Sequence, residues 1–255
     1  MAGTALITGA STGIGYELAR IFAREGYDLI ITARSEDKLT ALKNDLEKDG
    51  IVHVDVISMD LSQDSAAQQL FERVSDRQID VLVNNAGFGD YGKFVECDMD
   101  RMTRMIQLNI TALSQMTRLV LPQMLERHSG HIMNVASIAS FEPGPLMAMY
   151  YATKAFVLSL TEAISVEIRD SGVQIMALCP GPTNTEFAAA ANLERTSFVT
   201  AFKKTSPVDV AEFAYQKLMA GKVVAVPGML NKAAVVAAQL MPRALVRRCV
   251  GMIQK

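Results

Sequence analysis

Ala5-Leu6-Ile7-Thr8-Gly9-Ala10-Ser11-Thr12-Gly13-Ile14-Gly15 holds a short apolar run that stops on glycine, and residues 16–24 continue it with helical periodicity. Strand, glycine-rich turn and helix in that order are the context in which a phosphate-binding reading is credible. Glycine lets the backbone come close to a pyrophosphate and take positive φ. The helix that follows points free N–H groups and the positive end of its dipole at the same anion. The spacing is Gly-x-x-x-Gly-x-Gly rather than the common Gly-x-Gly-x-x-Gly. Gly9, Ser11, Thr12, Gly13, Ile14 and Gly15 are therefore the candidate cradle for a dinucleotide.

Outward from that turn, the chain alternates strand and helix. Residues 28–33 read as a second strand, with Arg34-Ser35 at its tip. In such a fold an acidic residue there binds the free 2′-hydroxyl of NAD, whereas arginine accommodates the 2′-phosphate of NADP. Arg34 thus favours NADP(H) over NAD(H). Residues 36–50 read as a helix closing on Gly50. Residues 52–57 form a third strand, followed by Asp60 and Leu61, which are placed to touch an adenine ring. Asp60 doubles as a cap for a helix starting near Ser62. Residues 80–83 are a fourth strand, bounded by Asn84-Asn85-Ala86-Gly87. A long helix spans residues 99–125 and carries Asn109 in its middle, where asparagine is a poor choice. Residues 131–136 are a fifth strand ending at Ser137. A sixth, residues 173–178, runs into Cys179-Pro180-Gly181-Pro182-Thr183.

This alternation predicts an α/β fold, a doubly wound parallel sheet with helices on both faces. Ligands in such sheets sit beyond the carboxyl ends of the strands. The glycine turn, Arg34, Asp60, Asn84, Ser137 and Pro180-Gly181 all fall at those ends. Between the fifth and sixth strands lies Tyr150-Tyr151-Ala152-Thr153-Lys154. Residues four apart share a helix face. A phenol alone has a pKa of about 10. A nearby ammonium is expected to pull it down and give an acid–base group that works near neutrality.

The chain has 255 residues, half of them hydrophobic and a fifth charged, with a formal net charge of -2. It fits one large domain, residues 1–255, and offers no basic field for nucleic acid. Cys97, Cys179 and Cys249 are far apart and odd in number, so neither a disulfide framework nor a metal site emerges. No apolar run reaches the ~18 residues of a membrane span. The reading is a soluble, cytoplasmic protein.

With these motifs in order, the chain resembles the short-chain dehydrogenase/reductase family, in its single-domain branch. The marks are Thr8-Gly9-x-x-x-Gly13-x-Gly15, Asn84-Asn85-Ala86-Gly87, Asn109, Ser137, Tyr150-x-x-x-Lys154 and Pro180-Gly181. The resemblance implies a Rossmann-type sheet of seven strands in the order 3-2-1-4-5-6-7, with residues 223–226 as the seventh. It implies a catalytic tetrad of Asn109, Ser137, Tyr150 and Lys154. Tyr150 would exchange a proton with the substrate oxygen, and Ser137 would hydrogen-bond that oxygen. Lys154 would hold the nicotinamide ribose and lower the Tyr150 pKa. Asn109 would break its helix and hold a water leading to Lys154. Thr183 would contact the carboxamide or the pyrophosphate. Asn85, Ala86, Gly87, Pro180 and Gly181 join the cofactor contacts. A homo-oligomer, dimer or tetramer, is implied through the long helices.

The function that follows is hydride transfer between NADP(H) and a carbonyl or secondary alcohol. A dinucleotide-binding regulator or scaffold without turnover is the alternative, disfavoured because all four tetrad residues are present. Relatives that use the same cofactor for epimerisation or dehydration are usually longer, with a separate substrate domain, and no such insertion appears here. The Met-rich loop 141–149 and the segment 184–206, with Phe187, Leu193, Phe198 and Phe202, read as a pocket wall and a lid for an apolar substrate. The tail, residues 227–255, interleaves cations with apolar residues and is divided by Pro242. Packing against protein is favoured for it over contact with a membrane surface.

Overall fold

The computed structural model describes residues 3–191 and 205–253. Seven strands form one parallel sheet: β1 (Thr4–Thr8), β2 (Asp28–Ala33), β3 (Val54–Ser58), β4 (Val81–Asn84), β5 (Gly130–Val135), β6 (Val173–Leu178) and β7 (Val224–Ala225). Their order is β3-β2-β1-β4-β5-β6-β7. The chain winds one way from β1 to β3 and the other way from β4 to β7, so a crevice opens where β1 meets β4.

Alternation along β1 explains both cores. Ala5 and Ile7 point to one face, where they meet Leu18 and Phe22 of α1 (Gly13–Arg24) and Val210 and Ala214 of α8 (Pro207–Met219). Leu6 points to the other face, against Leu70 of α3 (Ala66–Val74) and Met116, Val120 and Met124 of α5 (Leu113–Glu126). The central strands are buried on both sides, which is why they read as continuous apolar runs. A polar seam crosses this core. Asn84 donates to Asn134 (2.9 Å) and to the Thr117 hydroxyl (3.0 Å), and Asn134 donates to Thr161 of α6 (Ala148–Glu167) at 3.0 Å. Every member is buried and bonded, so the seam fixes β4, β5, α5 and α6 in one register.

Several boundaries differ from the expectation for local reasons. The β3 ladder starts at Val54 rather than residue 52, because the Asp28 side chain takes the preceding N–H, that of His53 (2.8 Å). Glu47 accepts from Val54 itself (2.7 Å), at the first residue of the strand. The helix expected near Ser62 begins at Ala66, behind Ser65 at φ 61°. Asp60 does not cap it; its carboxylate closes a turn on the Ser62 N–H (3.0 Å) and hydroxyl (2.7 Å). α2 (Glu36–Leu46) stops short of Gly50, which serves a following turn instead. β7 is only two residues long.

The long helix around Asn109 is interrupted. α4 (Met99–Ile106) passes into a π-helical turn, Gln107–Ala112, before α5 resumes. A widened turn of this kind often marks a functional position. After β6 comes the short α7 (Phe187–Ala190). The tail folds into α9 (Met229–Leu240) and α10 (Arg243–Ile253), with the break at Pro242 as expected. Its inner residues Val235, Ala238, Val246 and Val250 are buried, the last three in one apolar cluster with Ala139, Met147 and Tyr151. Leu193, Phe198 and Phe202 of the expected lid lie outside the described residues.

Candidate active site

The glycine turn is packed as a cradle. Gly13 has φ +61°, and a Cβ there would sit 2.9 Å from the Thr185 methyl. A Cβ on Gly15 would overlap the Gly9 carbonyl oxygen and the Asn85 amide. The N–H groups of the first turn of α1 have no carbonyl within the helix to bond, and Thr12 caps it without a side-chain hydrogen bond. Ser11, Thr12 and Ile14 flank those donors. Close backbone approach and free N–H groups are what a pyrophosphate requires, so these residues fit a dinucleotide.

Asn85 supports the cradle from behind. Its amide donates to the carbonyls of Thr8 (2.9 Å) and Gly9 (3.1 Å). The Thr8 hydroxyl accepts from the N–H groups of Asn85 and Ala86, both at 3.0 Å. Replacing Gly15 by Ala is expected to force the Gly9 carbonyl aside at a cost of ~1–3 kcal/mol, lowering the melting temperature by roughly 2–12 °C. An unchanged melting curve would mean that the turn has slack that its packing does not show.

Arg34 stands exposed at the tip of β2, and its carbonyl accepts from the Ser58 hydroxyl (3.3 Å). Asp60 and Leu61 lie one strand further out. Burial pushes the Asp60 carboxyl up, but hydrogen bonds from Ser62 and Gln63, helped by the Arg34 charge, hold it below its usual value. At the other end of the crevice, Ile138 N–H donates to the Pro180 carbonyl (3.0 Å), joining the loops after β5 and β6. The Thr183 hydroxyl donates to the Gly181 carbonyl at 2.9 Å.

The tetrad residues come together beyond β5. Ser137 caps a short 3-10 turn, its hydroxyl accepting from Ala139 N–H at 3.1 Å. α6 begins eleven positions later and carries Tyr150 and Lys154 on one face. Lys154 is 4% exposed, and its ammonium donates to the Val135 carbonyl at 2.7 Å and lies 5.9 Å from the Tyr150 ring centroid. Asn109 does not face open solvent. Its amide donates to the Phe88 carbonyl (2.9 Å) and the Thr153 hydroxyl (3.0 Å), and its oxygen accepts from Phe88 N–H (3.1 Å). That clasp ties the loop after β4 to α6. Gly87 runs so close that a Cβ there would sit 3.0 Å from the Asn109 oxygen and 3.4 Å from Lys154 Nζ.

The electrostatics correct one expectation. Burial pushes the Tyr150 phenol up to about 12, opposed by the hydrogen bond from the Ser137 side chain. Burial also brings the Lys154 ammonium down to about 8. The ammonium therefore does not lower the phenol as the spacing implied. It is turned onto a carbonyl, and desolvation outweighs a charge at that distance. Cys179, buried alongside, is pushed up to about 12, which leaves it an inert thiol.

Phe187, read from the sequence as part of the lid, leans on the Tyr150 ring at 5.3 Å between centroids, tilted by 51°. Three features were missed from the sequence. Asn231 of the tail lies against Gly181, where a Cβ would sit 2.6 Å from its amide, and it donates to the Pro227 carbonyl at 2.7 Å. Lys38 of α2 pairs with Glu186 at 2.8 Å, drawing the segment after β6 across the glycine turn. Thr153 links Asn109 to α6. Only Thr153 carried a signal, as a polar residue between Tyr150 and Lys154. Tyr151, the rival phenol, is 5% exposed in the apolar cluster under the tail.

Comparison with known proteins agrees with this arrangement. The family model for short-chain dehydrogenases matches residues 3–196. An uncharacterised oxidoreductase of Staphylococcus saprophyticus is 32% identical over 216 residues, 84% of this chain and 90% of that protein. A short-chain dehydrogenase from Sphingobium yanoikuyae, solved in complex with NADPH, superposes with a TM-score of 0.84 at 31% identity, covering 95% of this chain and 97% of that one. A bulky-bulky ketone specific alcohol dehydrogenase from Comamonas testosteroni gives 0.79 at 29% identity, covering 95% and 96%. With its strand order, its glycine turn and its clustered Asn109, Ser137, Tyr150 and Lys154, the chain belongs to the short-chain dehydrogenase/reductase family.

Proposed function

We propose that this protein is an NADP(H)-dependent oxidoreductase acting on the carbonyl, or the corresponding secondary alcohol, of a bulky apolar substrate. The observation that carries it is Tyr150 and Lys154 on one face of α6, the buried ammonium 5.9 Å from the Tyr150 ring centroid and using one of its N–H donors on the Val135 carbonyl. The dinucleotide, when bound, supplies a hydride to the carbonyl carbon or takes one from the alcohol carbon. Tyr150, neutral at pH 7 with its phenol at about 12, donates the proton to the substrate oxygen in reduction. Ser137 donates a second hydrogen bond to that oxygen and stabilises the charge that builds there. Lys154 has donors left for the hydroxyls of the nicotinamide ribose. The turn from Gly9 to Gly15 holds the pyrophosphate, and Asp60 and Leu61 border the adenine. Asn85, Ala86 and Gly87, with Pro180, Gly181 and Thr183, complete the cofactor walls.

The apolar substrate is supported by Phe187, Tyr91 and Met147, which pack in one apolar cluster with Tyr150. It is also in keeping with the ketone named for the Comamonas enzyme. The one-domain arrangement with residues 184–206 as a lid belongs to the same reading, as does a cytoplasmic homo-oligomer. Exposed Phe156 and Val166 on α6 offer such an assembly an apolar contact. NADPH absorbance, followed across a panel of ketones, aldehydes and secondary alcohols, tests the proposal. Turnover is expected with bulky apolar ketones, and none anywhere in the panel would overturn it. Arg34→Asp is expected to weaken NADPH relative to NADH by ~10–100-fold, the worth of a charge-assisted contact. An unaltered preference would remove Arg34 from the cofactor site.

A further inference from the structure

The tail has two apolar faces, and the body covers only one. On α9, Val235 and Ala238 turn inward and are buried, while Met229, Leu230, Val236 and Leu240 are 83%, 86%, 51% and 81% exposed. Their spacing puts those four on one side of the helix as an unbroken stripe. On α10, Leu245 and Met252 are also exposed, beside Arg243, Arg247 and Arg248. A contiguous exposed stripe differs from scattered surface leucines and marks a site of interaction. The intramolecular packing expected for the tail accounts for its inner residues and leaves this outer face unexplained.

Charge identifies the occupant. Residues 227–255 contain five Lys and Arg and no Asp or Glu, while the remainder of the chain has 20 cationic residues against 27 carboxylates. We infer that α9 and α10 dock the protein, stripe inward, on an anionic lipid surface. Apolar side chains flanked by arginines on a helix lying in the interface plane are what such a surface takes up. The same charge disfavours a second copy, because an isologous contact through this patch would bring Arg243, Arg247 and Arg248 of one chain against the same cations of the other. The acidic body, repelled by the same lipid, turns the tail toward it.

Sedimentation of the full chain with vesicles tests this. Vesicles of phosphatidylcholine containing about one-third phosphatidylglycerol are expected to bind at least ~tenfold more protein than phosphatidylcholine alone, the preference fading at high salt. Leu230→Gln with Leu240→Gln, and separately Arg247→Gln with Arg248→Gln, are expected to abolish most of that binding with an unchanged melting temperature. No binding to the anionic vesicles, or equal binding by the variants, would overturn the inference. Loss of self-association in the variants without any lipid binding would overturn it too, by assigning the stripe to a second copy.

Discussion

Tyr150→Phe is expected to lower turnover by ~10²–10⁴-fold, the usual worth of a positioned proton donor, while NADPH still binds. The variant removes one oxygen and little else. The ring stays against Phe187 and Tyr151, so the packing of the cluster is kept. Fluorescence titration with NADPH would read binding, and absorbance with the best ketone of the panel would read turnover. Tyr151→Phe is the control, since Tyr151 is buried in the apolar cluster away from the motif. Wild-type turnover in Tyr150→Phe would end the assignment. A comparable loss in Tyr151→Phe would move the proton donor by one residue.

That contrast shows how much the chain reveals before it is folded. The parallel sheet was legible because strands buried on both faces must be apolar throughout, and residues 81–83 and 175–178 have little other choice. Asn109 was legible as an anomaly, and the structure answers with a π-helical turn that lets its amide leave the helix and hold Phe88. Boundaries were less legible wherever a side chain competes with the backbone. Asp28 takes the His53 N–H that would have extended β3, and Asp60 spends its carboxylate on Ser62 rather than on a helix. The order of residues also could not reveal burial at the acid–base pair. Spacing puts a phenol and an ammonium one turn apart, but only the fold shows that the ammonium is withdrawn from water and that Val135 has captured it. Asn231 and the Lys38–Glu186 pair join segments far apart in the chain, so no local pattern announces them.

The buried ammonium has a measurable consequence of its own. Lys154 falls from its ordinary 10.5 to about 8 because burial penalises the charged form. Below pH 8 the ammonium is charged in both folded and unfolded chains, and the folded state bears the full desolvation cost. Between pH 8 and 10.5 the unfolded chain holds more protons, so unfolding becomes harder as pH rises. The span corresponds to a gain of up to about 3 kcal/mol at 1.36 kcal/mol per unit. Lys154→Met, which keeps the length of the side chain without its charge, cannot show this gain. Urea unfolding of both proteins at pH 7 and pH 10 should therefore find the wild type gaining on Lys154→Met by ~2–3 kcal/mol. Tyr150 acts in the opposite direction, because a raised phenol loses stability as pH climbs from 10 toward 12. Tyr150 is present in both proteins, so its contribution cancels in the comparison, whereas Cys179 is held down in part by the Lys154 charge and cancels only in part. Lys154→Met should also lose turnover at every pH, since no other buried cation adjoins Tyr150 among the described residues. A stability difference that stays flat from pH 7 to pH 10 would mean that water reaches this lysine. The site would then lack the dry interior on which its chemistry depends.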